Sequence, residues 1–180
     1  TLTLPAVDGS DSLAGNSAFV IDGAAPTIAV SSDVSSLKAG ETATLSFTLS
    51  ESSTNFEADD LTVSGGTLSN FSGSGTSYSA TFTPTADSTT DGVVSVANNK
   101  FCDAAGNTNA DGSDSNNSVN LTVDSVRPTI AISSDVSSLR ADETATLTFT
   151  LSDVSTDFIQ SDITVSGGTL SNFSGSGTSY

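Results

Sequence analysis

The chain has no histidine, no tryptophan, a single cysteine, and only four basic residues against 21 acidic ones. Each scarcity removes a class of function. Without an imidazole base, hydrolysis by a Ser-His-Asp or Cys-His arrangement is excluded. One cysteine, Cys102, cannot close an intrachain disulfide, so stability must come from a packed core or from bound metal. A formal net charge of −17 argues against nucleic acid and anionic membranes, whose phosphates need Lys and Arg, and leaves cations as the natural electrostatic partners. Apolar runs such as Ala18-Phe19-Val20-Ile21 are far shorter than the roughly 20 residues a bilayer crossing needs, so no membrane insertion is expected. No secretion signal is visible, as expected of an internal piece of a longer protein.

What the chain does have is repetition, and a fixed period has to be settled before single residues are read. Pro26-Thr27-Ile28-Ala29-Val30-Ser31-Ser32-Asp33-Val34-Ser35-Ser36-Leu37 returns as Pro128-Thr129-Ile130-Ala131-Ile132-Ser133-Ser134-Asp135-Val136-Ser137-Ser138-Leu139, an offset of 102 residues. At the same offset Ser64–Tyr78 and Ser166–Tyr180 agree at every position. Asp8–Ser12 matches Asp111–Ser115, and Val20-Ile21-Asp22 parallels Thr122-Val123-Asp124, with one residue of slippage between the two alignments. The expected organisation is therefore the tail of one repeat (1–22), a complete repeat (23–124) and the front half of a third (125–180), with neither end a natural terminus.

Thr42–Ser50 alternates polar and apolar residues, placing Ala43, Leu45, Phe47 and Leu49 on one face of a half-buried strand. The same period predicts strands near 27–31, 60–63, 67–71, 77–83, 92–97 and 119–123, seven in all. Turn formers lie between them: Ala39-Gly40, Gly65-Gly66, Gly73-Ser74-Gly75, Pro84 and Ala105-Gly106-Asn107. No helical period is present. About 100 residues per repeat with seven short strands predict an all-β fold, an immunoglobulin-like β-sandwich in tandem. A closed barrel is the structural alternative, but head-to-tail repetition through short linkers favours a sandwich with its ends at opposite poles. A disordered, mucin-like stalk would not keep Leu, Phe and Val alternating with Thr. The Asn-x-Ser/Thr matches at Asn70, Asn116, Asn120 and Asn172 are those chance gives in a chain this rich in Ser and Thr.

Pro26-Thr27-Ile28, Leu37–Leu45, Ser64–Phe71 and Thr81-Phe82-Thr83-Pro84, closing with Phe101-Cys102-Asp103-Ala104-Ala105-Gly106-Asn107, resemble the bacterial Ig-like repeats of large RTX-type and biofilm-associated surface adhesins. The resemblance covers essentially the whole chain. It implies secreted modules at the bacterial cell surface that extend a ligand-binding tip, serve adhesion or biofilm formation, and bind calcium near their junctions. Two departures stand out. Cys102 occupies an outward-facing position where similar repeats carry a hydroxyl residue, and Asp142 replaces Gly40 in the later copy.

Calcium takes six to eight oxygen ligands, and this chain supplies almost nothing but oxygen donors. In a sandwich of this topology a junction gathers the linker acid with loops at one pole of the next repeat. At the first junction those are Asp22, Glu51, Asp103 and Asn107; at the second, Asp124 and Asp153, with Glu41, Asp87 or Asp91 available from below. The linkers Asp22-Gly23-Ala24-Ala25-Pro26 and Asp124-Ser125-Val126-Arg127-Pro128 are short, and each proline holds its preceding residue extended. A second cluster, Asp103, Asn107, Asn109, Asp111 and Asp114, crowds the last hairpin loop without the spacing or closing Glu of an EF-hand. Solvated turn residues are the alternative for both sets. Paired carboxylates could in principle cleave glycosides, but that chemistry needs a pocket that a two-sheet module without a large loop does not offer.

The expected function is thus a non-catalytic spacer whose partners are neighbouring repeats of its own chain. The alternatives are a module binding a glycan or host protein, or an accessory domain of a secreted enzyme. Sugar sites present aromatic platforms, whereas alternation places Tyr78 and Tyr180 in the core.

Overall fold

A computed structural model describes residues 21–180. The assignment of 1–22 to a preceding repeat therefore lies, except for Ile21 and Asp22, outside the described residues. The chain divides into two compact units between Ser125 and Val126.

The first unit contains β1 (Ile28–Ser32), β2 (Ser36–Lys38), β3 (Ala43–Ser53), β4 (Leu61–Ser64), β5 (Gly66–Pro84), β6 (Gly92–Val96) and β7 (Ser118–Asp124). They form two sheets, β1-β3-β5 and β2-β7-β6-β4. Period-two alternation is what makes them pack. Ala43, Leu45, Phe47 and Leu49 of β3 are buried while the Thr and Ser between them are exposed. Val94 and Val96 of β6, with Leu121 and Val123 of β7, supply the opposing face. One continuous core of Ile28, Leu37, Leu45, Phe47, Phe82, Phe101 and these residues joins the sheets. The result is an all-β, immunoglobulin-like sandwich.

Two details differ from the alternation pattern. Residues 66–84 are one continuous extended element, but it doubles back on itself. The Asn70 amide donates to Thr81 Oγ1 at 3.3 Å, the Ser72 and Ser79 hydroxyls lie 3.5 Å apart, and Thr85 N donates to Gly65 O at 2.9 Å. A straight strand rises about 3.3 Å per residue, so contacts across 11 positions require a reversal. Asn70, Gly73 and Gly75 all have positive φ around it. The second detail is β2, three residues long and paired parallel to β7, too short for a period to reveal.

The second unit holds β8 (Ile130–Ser134), β9 (Leu147–Ser155) and β10 (Gly177–Ser179) in one sheet, β10-β9-β8. Local sequence reproduces local structure. The Tyr180 hydroxyl donates to Ser155 O at 3.0 Å as Tyr78 does to Ser53 O at 2.9 Å, and Phe158 meets Tyr180 edge-on at 5.1 Å as Phe56 meets Tyr78. Residues 138–140, the copy of β2, are not a strand, because this unit has no counterpart of β7 to pair with. Among the described residues no helix is long and apolar enough to cross a membrane.

Candidate metal centre

Three carboxylates meet at one end of the first unit. Asp22 lies in the segment before β1, Glu51 near the end of β3, and Asp103 in the loop between β6 and β7. Their oxygens lie within 4.8 Å of one another. Among the described residues this is the one group of three acidic side chains so placed.

Asp103 is the anchor. It is buried, and its Oδ1 accepts from the amides of Ala105 and Asn107, both at 2.9 Å. Asp103 N donates to Asn107 O at 3.1 Å. Gly106 makes this tight reversal possible with φ +93°, a conformation that a side chain would strain. The reversal folds Asn107 back, so that its Nδ2 donates to Asp103 Oδ2 at 2.8 Å and to Asp22 O at 3.1 Å. The linker acid is thus tied to the last loop. Asp22 Oδ1 also accepts from Ala24 N at 3.1 Å, and four residues on Pro26 is buried.

The electrostatics of the two inner acids are opposed. The Asn107 side-chain amide, followed by the backbone amides of the loop, holds the Asp103 carboxyl below its ordinary range against the opposing effect of desolvation. Glu51 is pushed up, first by desolvation and then by the charges of Asp22 and Asp103. The cluster is therefore a concentration of negative charge that one member resists joining. The donors are all oxygen, the set that hard divalent cations such as calcium prefer, and the three carboxylates leave places for water or carbonyl ligands.

The other candidate ligands go elsewhere. Asp111 is half-buried, and its Oδ2 accepts from Ile28 N at 2.7 Å, fastening the start of β1. Asn109 is fully buried; its Oδ1 accepts from Lys100 N and its Nδ2 donates to Ala97 O and Asp111 Oδ1. Asp114 is exposed and precedes the 3-10 turn Ser115–Asn117. Asp111 and Asn109, joined to each other at 3.3 Å, thus brace the backbone at Ile28, Ala97 and Lys100. Glu41 accepts from Lys38 N at 2.9 Å. Asp124 ends β7, and Asp153 in β9 accepts from the Ser152 hydroxyl at 2.7 Å. These two follow Asp22 and Glu51 by 102 residues and fall on different units.

Alternation gave no signal for two polar residues of this unit. Asn55 Oδ1 accepts from Cys102 N at 3.0 Å and lies 3.4 Å from Cys102 Sγ, so the thiol is half-buried against it. Asn117 is buried with neither side-chain polar atom hydrogen-bonded.

The family described as bacterial Ig-like domain matches residues 22–120 and again 124–180. No curated protein and no solved structure matches the chain.

Proposed function

The chain belongs to the bacterial Ig-like domain family, and from that premise we propose that it is a non-catalytic spacer in the stalk of a secreted bacterial surface adhesin, stiffened by calcium between repeats. The observation that carries the reading is the meeting of Asp22, Glu51 and Asp103 within 4.8 Å. One of these acids comes from the linker and two from the body of the repeat that follows. An ion between them would fasten the linker to that repeat and relieve the repulsion from Asp22 and Asp103 that, after desolvation, raises Glu51. Asn107 would orient the Asp103 carboxylate and hold the backbone of Asp22 beside it without being charged itself. By the 102-residue repeat, Asp124 and Asp153 are the sequence counterparts of Asp22 and Glu51.

Extracellular calcium modules bind at about 10⁻⁴–10⁻³ M, so such a junction would be filled outside a cell. The partners are neighbouring repeats, and the role is adhesion or biofilm formation at the cell surface. A glycan-binding module is less well supported, because Tyr78 is buried with its hydroxyl on Ser53 O and offers no exposed platform.

The test is small-angle scattering and thermal melting of a protein with two complete repeats, in millimolar calcium and then in chelator. A longer maximum dimension and a higher Tm with calcium are expected. No change in either would leave the acids as solvated turns.

A further inference from the structure

Ser125 follows directly on β7 and is buried, only 3 % exposed. It continues the period of that strand, because Leu121, Val123 and Ser125 are all buried while Thr122 and Asp124 between them are exposed. A hydroxyl carried into such a position has to find partners, and the turn between β5 and β6 supplies them. Ser125 Oγ accepts from Ser88 N at 2.9 Å and lies 2.6 Å from Thr85 O and 3.0 Å from Ser88 O, which compete for its one proton. Ser125 N donates to Ser88 O at 2.9 Å, so the two serines are bonded in both directions. The receiving turn is itself held. Thr85 N donates to Gly65 O at 2.9 Å, Thr90 N donates to Ser88 Oγ at 3.0 Å, and Asp87 reverses the chain with φ +50°.

In sequence the repeat closes at Asp124, but in hydrogen bonding it closes one residue later, where the two compact units also separate. The residue 102 positions before Ser125 is Gly23, which is exposed and would have nothing within 4 Å of a side chain among the described residues. A glycine has no hydroxyl to offer to any turn. The fastening beside Gly23 runs instead to the repeat that follows it, through Asn107 Nδ2 on Asp22 O.

We propose that this linker position sets the stiffness of each junction by deciding whether the linker is fastened to the repeat it leaves. Serine fastens it through the turn at 85–88, and glycine cannot. The linker after Asp124 is accordingly held on its exit side without any ion, so that bending is absorbed beyond Ser125 rather than at it. From the proposed function this takes only that the chain is a tandem spacer. The clamp contains no carboxylate, so it stands or falls apart from the calcium reading.

The test is amide relaxation and hydrogen exchange on the full 180-residue chain, isotopically labelled, in reducing buffer with chelator. In the unmodified chain the order parameter at Ser125 should match the rigid backbone of β7, about 0.85. Ser125→Gly, which installs the residue of the other junction, should lower it below about 0.6. The Ser88 amide, deprived of its acceptor, should then exchange at least roughly tenfold faster. Ser125→Ala removes the hydroxyl without adding the backbone freedom of glycine. It should accelerate exchange at Ser88 equally while lowering the order parameter less. The amides of Leu121 and Val123 report on β7 itself and should keep their protection in both variants. An unmodified Ser125 with an order parameter already below about 0.6, or variants indistinguishable from the unmodified chain, would overturn the proposal. So would equal loss of protection at Leu121, Val123 and Ser88, which would make Ser125 a support of the core and not a clamp on the linker.

Discussion

The side chain of Asn107 donates to the backbone carbonyl of Asp22 at 3.1 Å, a bond across 85 residues that ties the segment before β1 to the last loop of the same unit. The same nitrogen donates to Asp103 Oδ2 at 2.8 Å. One uncharged amide thus orients the Asp103 carboxylate and holds the backbone of Asp22 beside it, as an outer-shell partner does at a metal site.

Asn107→Ala is accordingly expected to weaken calcium binding roughly tenfold or more without removing a carboxylate. Isothermal titration measures the affinity, and hydrogen exchange at residues 22–25 should show the freed linker in the absence of metal. Unchanged affinity would mean that Asn107 serves the turn alone.

The opposed shifts of Glu51 and Asp103 give the unit a pH signature. Glu51 is raised, so from the ordinary glutamate range up to its folded value the folded state keeps a proton that the unfolded chain has lost. Its contribution to stability therefore falls as pH rises through that window. Asp103 is lowered, so its contribution is present above the ordinary aspartate range and is lost as pH falls through its folded value. In chelator, Glu51→Gln should remove the fall in Tm above the glutamate range and leave the acid-side loss. Calcium should flatten the same slope in the unmodified chain. Parallel Tm curves for the two proteins would contradict this account.

Phe82 predicts how much two glycines matter. A Cβ at Gly92 would overlap Phe82 Cζ, and so would one at Gly66, so the ring fits between two positions that have no side chain. Gly92→Ala should cost about 1–3 kcal/mol by overpacking, and Phe82→Ala about 3–5 kcal/mol by leaving a cavity. Gly168, the copy of Gly66, has nothing within 4 Å of the same position. Gly168→Ala should therefore change stability by less than about 0.5 kcal/mol. Denaturant melts of the three variants compare these values directly.

Much of this was legible because β-structure writes itself with period two. The alternation over 42–50 marks β3 and its buried face, and the two arms of β5 read as separate strands because Gly73 and Gly75 interrupt the pattern where the chain reverses. What stayed hidden was set by tertiary partners. Ser36–Lys38 is a strand only because β7 lies beside it, and its copy at 138–140 shows the same residue pattern without becoming one. At the site, topology placed Asp22, Glu51, Asp103 and Asn107 at one pole. Sequence crowding in the last loop marks Asp103, Asn107, Asn109, Asp111 and Asp114 as a second, separate cluster, and within it Asp111 and Asn109 hold backbone at Ile28 and Ala97. Asn117 sits in a run of turn formers, and nothing in that run marks it as buried.

The repeat also allows one sequence to be compared with and without its second sheet. Residues 23–124 contain every strand of the first unit and should melt cooperatively on their own, whereas 125–180 should not. The latter span has no counterparts of Phe82, Val94, Val96, Phe101, Leu121 and Val123, all buried in the first unit. Each such side chain contributes roughly 1.5–3 kcal/mol on burial, so six together are comparable with the roughly 5–15 kcal/mol by which a whole domain is stable. The Tyr180 to Ser155 bond and the ring contacts of Phe149, Phe158 and Phe173 remain, but they order one sheet without covering it. Hydrogen exchange on the intact chain should therefore show Ile130 and Ile132 losing protection by local opening while Ile28 and Val30 exchange only with global unfolding. Equal protection at these paired positions would show that the single sheet is stable without a second layer.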